Sequence, residues 1–192
     1  MPFPDEPIPE SKQQPAWHVV VLCILTCTAY VWYWFYKNWR DLSDAAALRA
    51  ETEPALQNFK DISPMLRTIG SFIPIWALYL WFTQFKGIAQ LHPDPESLPR
   101  HQPFMSALAL ILLYSIFTLL WRLPGYFFLL SFLAGIPLSV AQSWLNAYWR
   151  SVEPLDLLVR HAFTIKELIV IIIGASLLGL VATGYALHLD RP

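Results

Sequence analysis

Charge is scarce in this chain, and what there is forms no block of one sign. Lysine, arginine, aspartate and glutamate together make up 14% of 192 residues, with a formal net charge of −1. Ordinary soluble domains carry roughly 25%. No basic stripe is present, so the electrostatic footprint of a nucleic-acid-binding protein is missing. Cysteine is nearly absent: Cys23 and Cys27 are the only two. Four apart on an intact helix, their Cβ atoms lie about 5–6 Å apart, too far for the roughly 3.8 Å of a disulfide. No HExxH, CxxC, nucleophile-elbow or phosphate-cradling glycine motif occurs. The histidines His18, His92, His101, His161 and His188 fall at the ends of apolar runs or in loops. None has a second ligand at the four-residue spacing of a helical metal site. With no nucleophile and base to pair, the sequence points away from an enzyme.

What is abundant is apolar sequence. Hydrophobic residues make up 56% of the chain and come in five long runs, leaving too little polar sequence for a separate water-facing domain. This predicts an all-α integral membrane bundle of about five transmembrane helices, over 17–40, 64–91, 104–121, 126–147 and 165–187. Twenty helical residues span about 30 Å, the thickness of a bilayer core. Residues 1–16 form a polar, proline-rich tail with Asp5, Glu6 and Glu10. Its acidic start differs from a cleavable signal peptide, so residues 17–188 are expected to form one transmembrane domain behind an uncleaved tail.

The first run ends in a dense aromatic stretch, Tyr30 to Tyr36, closed by Lys37, Trp39 and Arg40. Aromatic rings with polar tips suit the headgroup zone, and the cations beyond can anchor on phosphates. The same density also suits packing of Trp32 and Trp34 against a protein partner or a ring-bearing cofactor. Further on, Ser63 and Pro64 give a helix start, and Pro74 and Pro137 predict kinks. The turn at Arg122 to Gly125 is short enough to make helices three and four a tight antiparallel hairpin. A short interfacial helix is expected between Glu153 and Phe163. Thr164 and Glu167 have the spacing of a capping box, and Ala175, Gly179 and Thr183 form a small-residue face for close packing. Lys37 and Arg40 after helix one, against the acidic tail before it, place the N-terminus outside by the positive-inside rule.

The order of several motifs resembles a family of bacterial multi-span membrane proteins to which no activity is assigned. These are Tyr33-Trp34-Phe35-Tyr36-Lys37-Asn38-Trp39, Ser63-Pro64 with Arg67, Leu123-Pro124-Gly125, and Pro137-Leu138 with Gln142 and Asn146. Phe163-Thr164 with Glu167 and Gly174 completes the set, so the likeness runs from Trp17 to about Leu187. The resemblance implies a protein of the bacterial inner membrane and carries no chemistry.

No ionisable residue lies at mid-depth in any of the five runs, where a catalytic or transport site would need one. The best polar cluster is Ser139, Gln142 and Asn146, spaced three and four apart on one helical face. It can fix packing by interhelical hydrogen bonds, or contact a lipid headgroup, pigment or partner subunit. The expected function is that of a non-enzymatic accessory or scaffold subunit in a larger membrane complex, in contact with the lipid bilayer and other membrane subunits. The alternative is a small transporter or channel. A lipid-modifying enzyme would have to draw on Glu153, Asp156, His161 and Glu167. Which cofactor or lipid it binds, if any, is left open by the residues.

Overall fold

The computed structural model describes residues 11–123, 125–154, 157 and 163–189, and all regular structure among them is helical. Eight α-helices follow one another: α1 (Ala16–Leu25), α2 (Tyr30–Arg49), α3 (Pro64–Gly70), α4 (Pro74–Gln90), α5 (Leu98–His101), α6 (Pro103–Leu119), α7 (Gly135–Val152) and α8 (Ile165–Leu189). Three 3₁₀ segments, Pro54–Phe59, Leu120–Arg122 and Gly125–Ala134, connect or extend them. The expected interfacial helix near 153–163 and the acidic tail before Ser11 lie largely outside the described residues.

The first expected span is two helices. The α1 helix stops at Leu25, and Cys27 and Thr28 take left-handed backbone angles (φ 49° and 69°). The Thr28 N–H donates back to the Cys23 carbonyl at 2.7 Å, the six-to-one bond of a Schellman ending, with Cys27 where glycine is usual. Thr26 joins the two halves: its hydroxyl donates to the Leu22 carbonyl (2.7 Å) and accepts from the Tyr30 N–H (2.9 Å). A straight rod would hold Lys12 and Asp41 about 40 Å apart. Instead the Lys12 ammonium donates to the Asp41 carbonyl at 3.3 Å. The α2 helix therefore runs back beside α1, and the pair is a hairpin.

The second expected span is broken in the same manner. Ser63 does cap α3, accepting from the Leu66 N–H at 3.4 Å, with Pro64 at the first helical position. Pro74, however, starts a new helix rather than kinking an old one, because a proline costs nothing where no intrahelical N–H bond is due. Arg67 lies over the Trp39 ring, Phe72 stacks on Trp32 at 4.2 Å, and Gln84 donates to the Phe35 carbonyl. The α3 helix thus descends along α2 and α4 climbs back. Pro137 likewise falls in the first turn of α7, after the ten-residue 3₁₀ segment, so it starts the α-helix rather than bending it.

The α6–α7 hairpin forms as the short turn requires. Trp121 meets Phe128 with ring centroids 5.5 Å apart, and Tyr114 and Thr118 share a cavity wall with Ser131 and Ala134. Among the described residues two helices are long and apolar enough to cross a membrane, Pro103–Arg122 and Phe127–Val152. The α8 helix starts beside Gln14, where Glu167 is hydrogen-bonded, and reaches Thr26 by Gly174.

All the hairpin turns consequently gather at one end of the molecule, near Cys27, Phe72 and Arg122. The connections through Phe59, Pro95 and Glu153 gather at the other. Large apolar side chains such as Phe72, Ile75, Trp76, Trp121 and Phe127 are exposed toward the turn end. Asp41, Glu53, Lys86, Arg100 and Arg150 lie toward the loop end. The core between them is aromatic: Trp34, Phe35 and Phe85 are fully buried, and Phe35 stacks on Trp81 at 5.2 Å. Ser11, the first described residue, lies at the same end as Lys37 and Arg40.

Candidate functional site

Two of the three residues expected to form a polar face on α7 do come together, and they collect partners from far along the chain. The Trp34 indole N–H donates to Gln142 Oε1 at 2.8 Å, and Gln142 Nε2 donates to Asn146 Oδ1 at 2.9 Å. Asn146 then pairs twice with the backbone of Gln14. Its Nδ2 donates to the Gln14 carbonyl (2.7 Å) and its Oδ1 accepts from the Gln14 N–H (3.1 Å). The Gln14 side chain continues the line, donating to the Tyr30 hydroxyl (2.7 Å) and to Glu167 Oε1 (3.0 Å). Glu167 also completes the expected capping box: its Oε2 accepts from the Thr164 N–H at 2.8 Å, while Thr164 Oγ1 accepts from the Glu167 N–H at 3.3 Å.

This line of hydrogen bonds joins α2, α7, α8 and the segment before α1. Trp34, Gln142, Gln14 and Glu167 are buried, where an unmade hydrogen bond is expensive. The bonds span 2.7–3.1 Å, and all but the Gln142–Asn146 bond within α7 tie separate segments of the chain in one register. The indole and amide groups at the line's centre, Trp34, Gln142, Asn146 and Gln14, neither ionise nor attack. Ser139 stands apart, half-buried, its hydroxyl donating to the Ile136 carbonyl of its own helix at 2.7 Å. Gln14 and Glu167 escaped the sequence reading as members of this cluster. The signal for Gln14 was weak, because a glutamine in a polar tail looks solvated until a helix end folds over it.

A second set of contacts ties the chain's entry to the loop end. Glu153 accepts from the Ser11 hydroxyl, from the Lys12 N–H (2.8 Å) and from Gln13 Nε2 (3.4 Å). The Lys12 ammonium lies 4.9 Å from the centre of the Trp149 ring. Asp41 is held by Arg40 (2.9 Å) and Lys37 (3.4 Å). Glu153 and Glu167 are thereby engaged in packing the N-terminal segment; Asp156 and His161 lie outside the described residues.

The two tryptophans singled out from the sequence part company. Trp34 is fully enclosed, reaching no outside surface. Trp32 is half-buried and, with Phe72, Ala77, Leu78 and Trp81, lines an apolar groove of about 450 Å³. Next to it lies a more polar cavity of about 310 Å³ bounded by Thr28, Thr118, Trp121, Arg122, Ser131 and Ala134. Tyr114, Thr118 and Leu119 belong to the walls of both. Comparison of the chain with family models, with curated proteins and with solved structures finds no match.

Proposed function

We propose that this chain is a non-enzymatic membrane subunit whose role is to pack: an accessory or scaffold element of a larger bacterial membrane assembly. The observation that carries this reading is the contrast between its inside and its outside. The buried polar groups of the Trp34–Gln142–Asn146–Gln14–Glu167 line are spent on holding helices in register. The outer surface is apolar: only 28% of the most apolar stretch of the α6 segment is buried. A helix of such hydropathy inside a water-soluble protein would be a core helix and mostly covered. An exposed apolar wall of this kind suits lipid and the helices of other subunits.

In this reading α6 and α7 cross the bilayer, α1–α2 and α3–α4 enter as hairpins from the loop end, and α8 supplies a further crossing. The five-span bundle becomes full spans combined with doubled-back pairs. Lys12, Lys37, Arg40, Arg49, Lys60, Lys86, Arg100 and Arg150 lie toward the loop end, whereas Arg122 stands at the turn end. The positive-inside rule then puts the loop end, and with it the chain's entry at Ser11, on the cytoplasmic face.

The test is purification of the tagged chain from its native host in mild detergent, with mass spectrometry and an absorption spectrum of the product. A stoichiometric set of membrane partners supports the packing role and names the assembly. A colourless preparation of this chain alone counts against it. The transporter or channel reading draws support from one feature, the polar cavity beyond the α1–α2 turn, since non-helical backbone at membrane depth is found where it lines a cavity. Solute flux in liposomes carrying the chain alone, lost on filling that cavity with Ser131→Leu, would favour it.

A further inference from the structure

The α1–α2 hairpin turns back before reaching the Trp121–Phe127 end, and the space beyond its turn is unfilled. That space is the 310 Å³ cavity, and the 450 Å³ apolar groove adjoins it at Tyr114, Thr118 and Leu119. Each falls within the ordinary range of ligand sites. Their chemistry differs in an ordered manner. The first is lined by Ser131, by Thr28 and Thr118, whose hydroxyls donate to the Cys27 and Tyr114 carbonyls, and by Arg122; the second presents the rings of Trp32, Phe72 and Trp81.

Three observations identify the occupant. Among the described residues Arg122 is a cation at this end without a carboxylate partner, and no acidic one lines either space. Ser131 is only 3% exposed, yet its hydroxyl has no hydrogen-bond partner. Buried hydroxyls in native structures are nearly always paired. Trp81, 9% exposed, likewise has an unpartnered indole N–H at the wall of the groove. A positive, hydroxyl-lined mouth leading to an aromatic groove matches a molecule with an anionic head and a hydrocarbon tail.

We propose that this composite site holds one anionic phospholipid, its phosphate between Arg122 and the unpartnered hydroxyl of Ser131, and an acyl chain along Trp32, Phe72 and Trp81. The planar guanidinium gives two parallel N–H donors to a phosphate. The Ser131 hydroxyl donates to a further phosphate oxygen, and the rings replace neighbouring lipid tails along the chain. The site rests on the membrane reading above and gives the packing subunit a specific lipid.

The test is native mass spectrometry of the full chain in detergent, titrated separately with phosphatidylglycerol, phosphatidylcholine and inorganic phosphate. Phosphatidylglycerol should be retained roughly tenfold more strongly than phosphatidylcholine, the scale of one charge-assisted contact. Arg122→Gln, at an exposed position, should abolish that preference, whereas Arg150→Gln at the other end should keep it. Leu78→Trp, which narrows the groove, should weaken retention of both lipids. Equal retention of the two lipids, or an unchanged preference in Arg122→Gln, overturns the proposal. So does inorganic phosphate displacing the lipid completely, because the apolar groove would then contribute nothing. Flotation with liposomes separates the two levels: a chain that fails to float refutes the membrane reading itself. One that floats without headgroup preference refutes only the lipid site.

Discussion

The contact between Trp34 and Gln142 is the sharpest place to ask whether the buried polar line sets the packing. Replacing Gln142 with leucine removes the acceptor 2.8 Å from the Trp34 indole N–H and leaves that donor enclosed, at 0% exposure. An orphaned buried donor costs about 1–3 kcal/mol beyond the bond itself. Asn146 Oδ1 loses one donor but keeps the Gln14 N–H, so little is added from that side. Trp34→Phe alone strands Gln142 Oε1 and removes ring volume. In the double variant both polar groups are gone, and the two penalties are not paid twice. The expected result is a coupling energy of about 1–3 kcal/mol in a double-mutant cycle, read from reversible unfolding in mixed micelles by far-ultraviolet circular dichroism. Strict additivity, within about 0.3–0.5 kcal/mol, would refute the claim that this hydrogen bond fixes the α2–α7 register.

Further outcomes test the fold and its surface. A Cβ added at Gly174 would sit 2.2 Å from the Thr26 Cα, whereas one at Gly179 meets nothing within 4 Å. Gly174→Ala should therefore destabilise by about 1–3 kcal/mol in the same assay, and Gly179→Ala should be neutral or gain up to about 1 kcal/mol of helix propensity. Gly179→Leu should leave unfolding unchanged while removing co-purified partners, if the small-residue face of α8 is a contact surface. Cys27 occupies a position with φ 49°, so Cys27→Gly should relieve roughly 1–2 kcal/mol of left-handed strain against roughly 0.5–1 kcal/mol of added chain entropy, a net gain of up to about 1 kcal/mol. In a background lacking the native cysteines, Gln13→Cys and Asp44→Cys should both react with a membrane-impermeant maleimide from the same side. Labelling from opposite sides would restore a single span and overturn the α1–α2 hairpin.

Local signals in the chain were readable wherever neighbouring residues settled the outcome. Ser63-Pro64 starts a helix, Thr164 and Glu167 form their capping box, and the short turn at Arg122 makes a hairpin. The Gln142 and Asn146 pair was visible from helical spacing, since residues four apart share a face. The Ser139 hydroxyl looked like a third member and turned to its own helix instead, as a serine can do at no cost in partners. What misled was continuity. Trp17 to Trp39 reads as an unbroken apolar run, and hydropathy is blind to the left-handed angles at Cys27 and Thr28 that reverse it. No glycine or proline marks that turn. The hydroxyl of Thr26 makes it, a role that any of the chain's threonines could have claimed.

By itself the sequence determined that this protein is built of apolar helices, because composition and run length bear directly on what can be buried. It also determined which residues cap them, because a cap needs only partners within one turn. Tertiary structure alone decided that two of the runs double back and that most of the described charges, Arg122 apart, collect at one end. It alone placed Gln14 and Glu167 in the same buried line as Trp34. The reason is distance along the chain: Gln14 and Glu167 are 153 residues apart. A contact of that separation depends on where whole helices pack, and no local pattern encodes it.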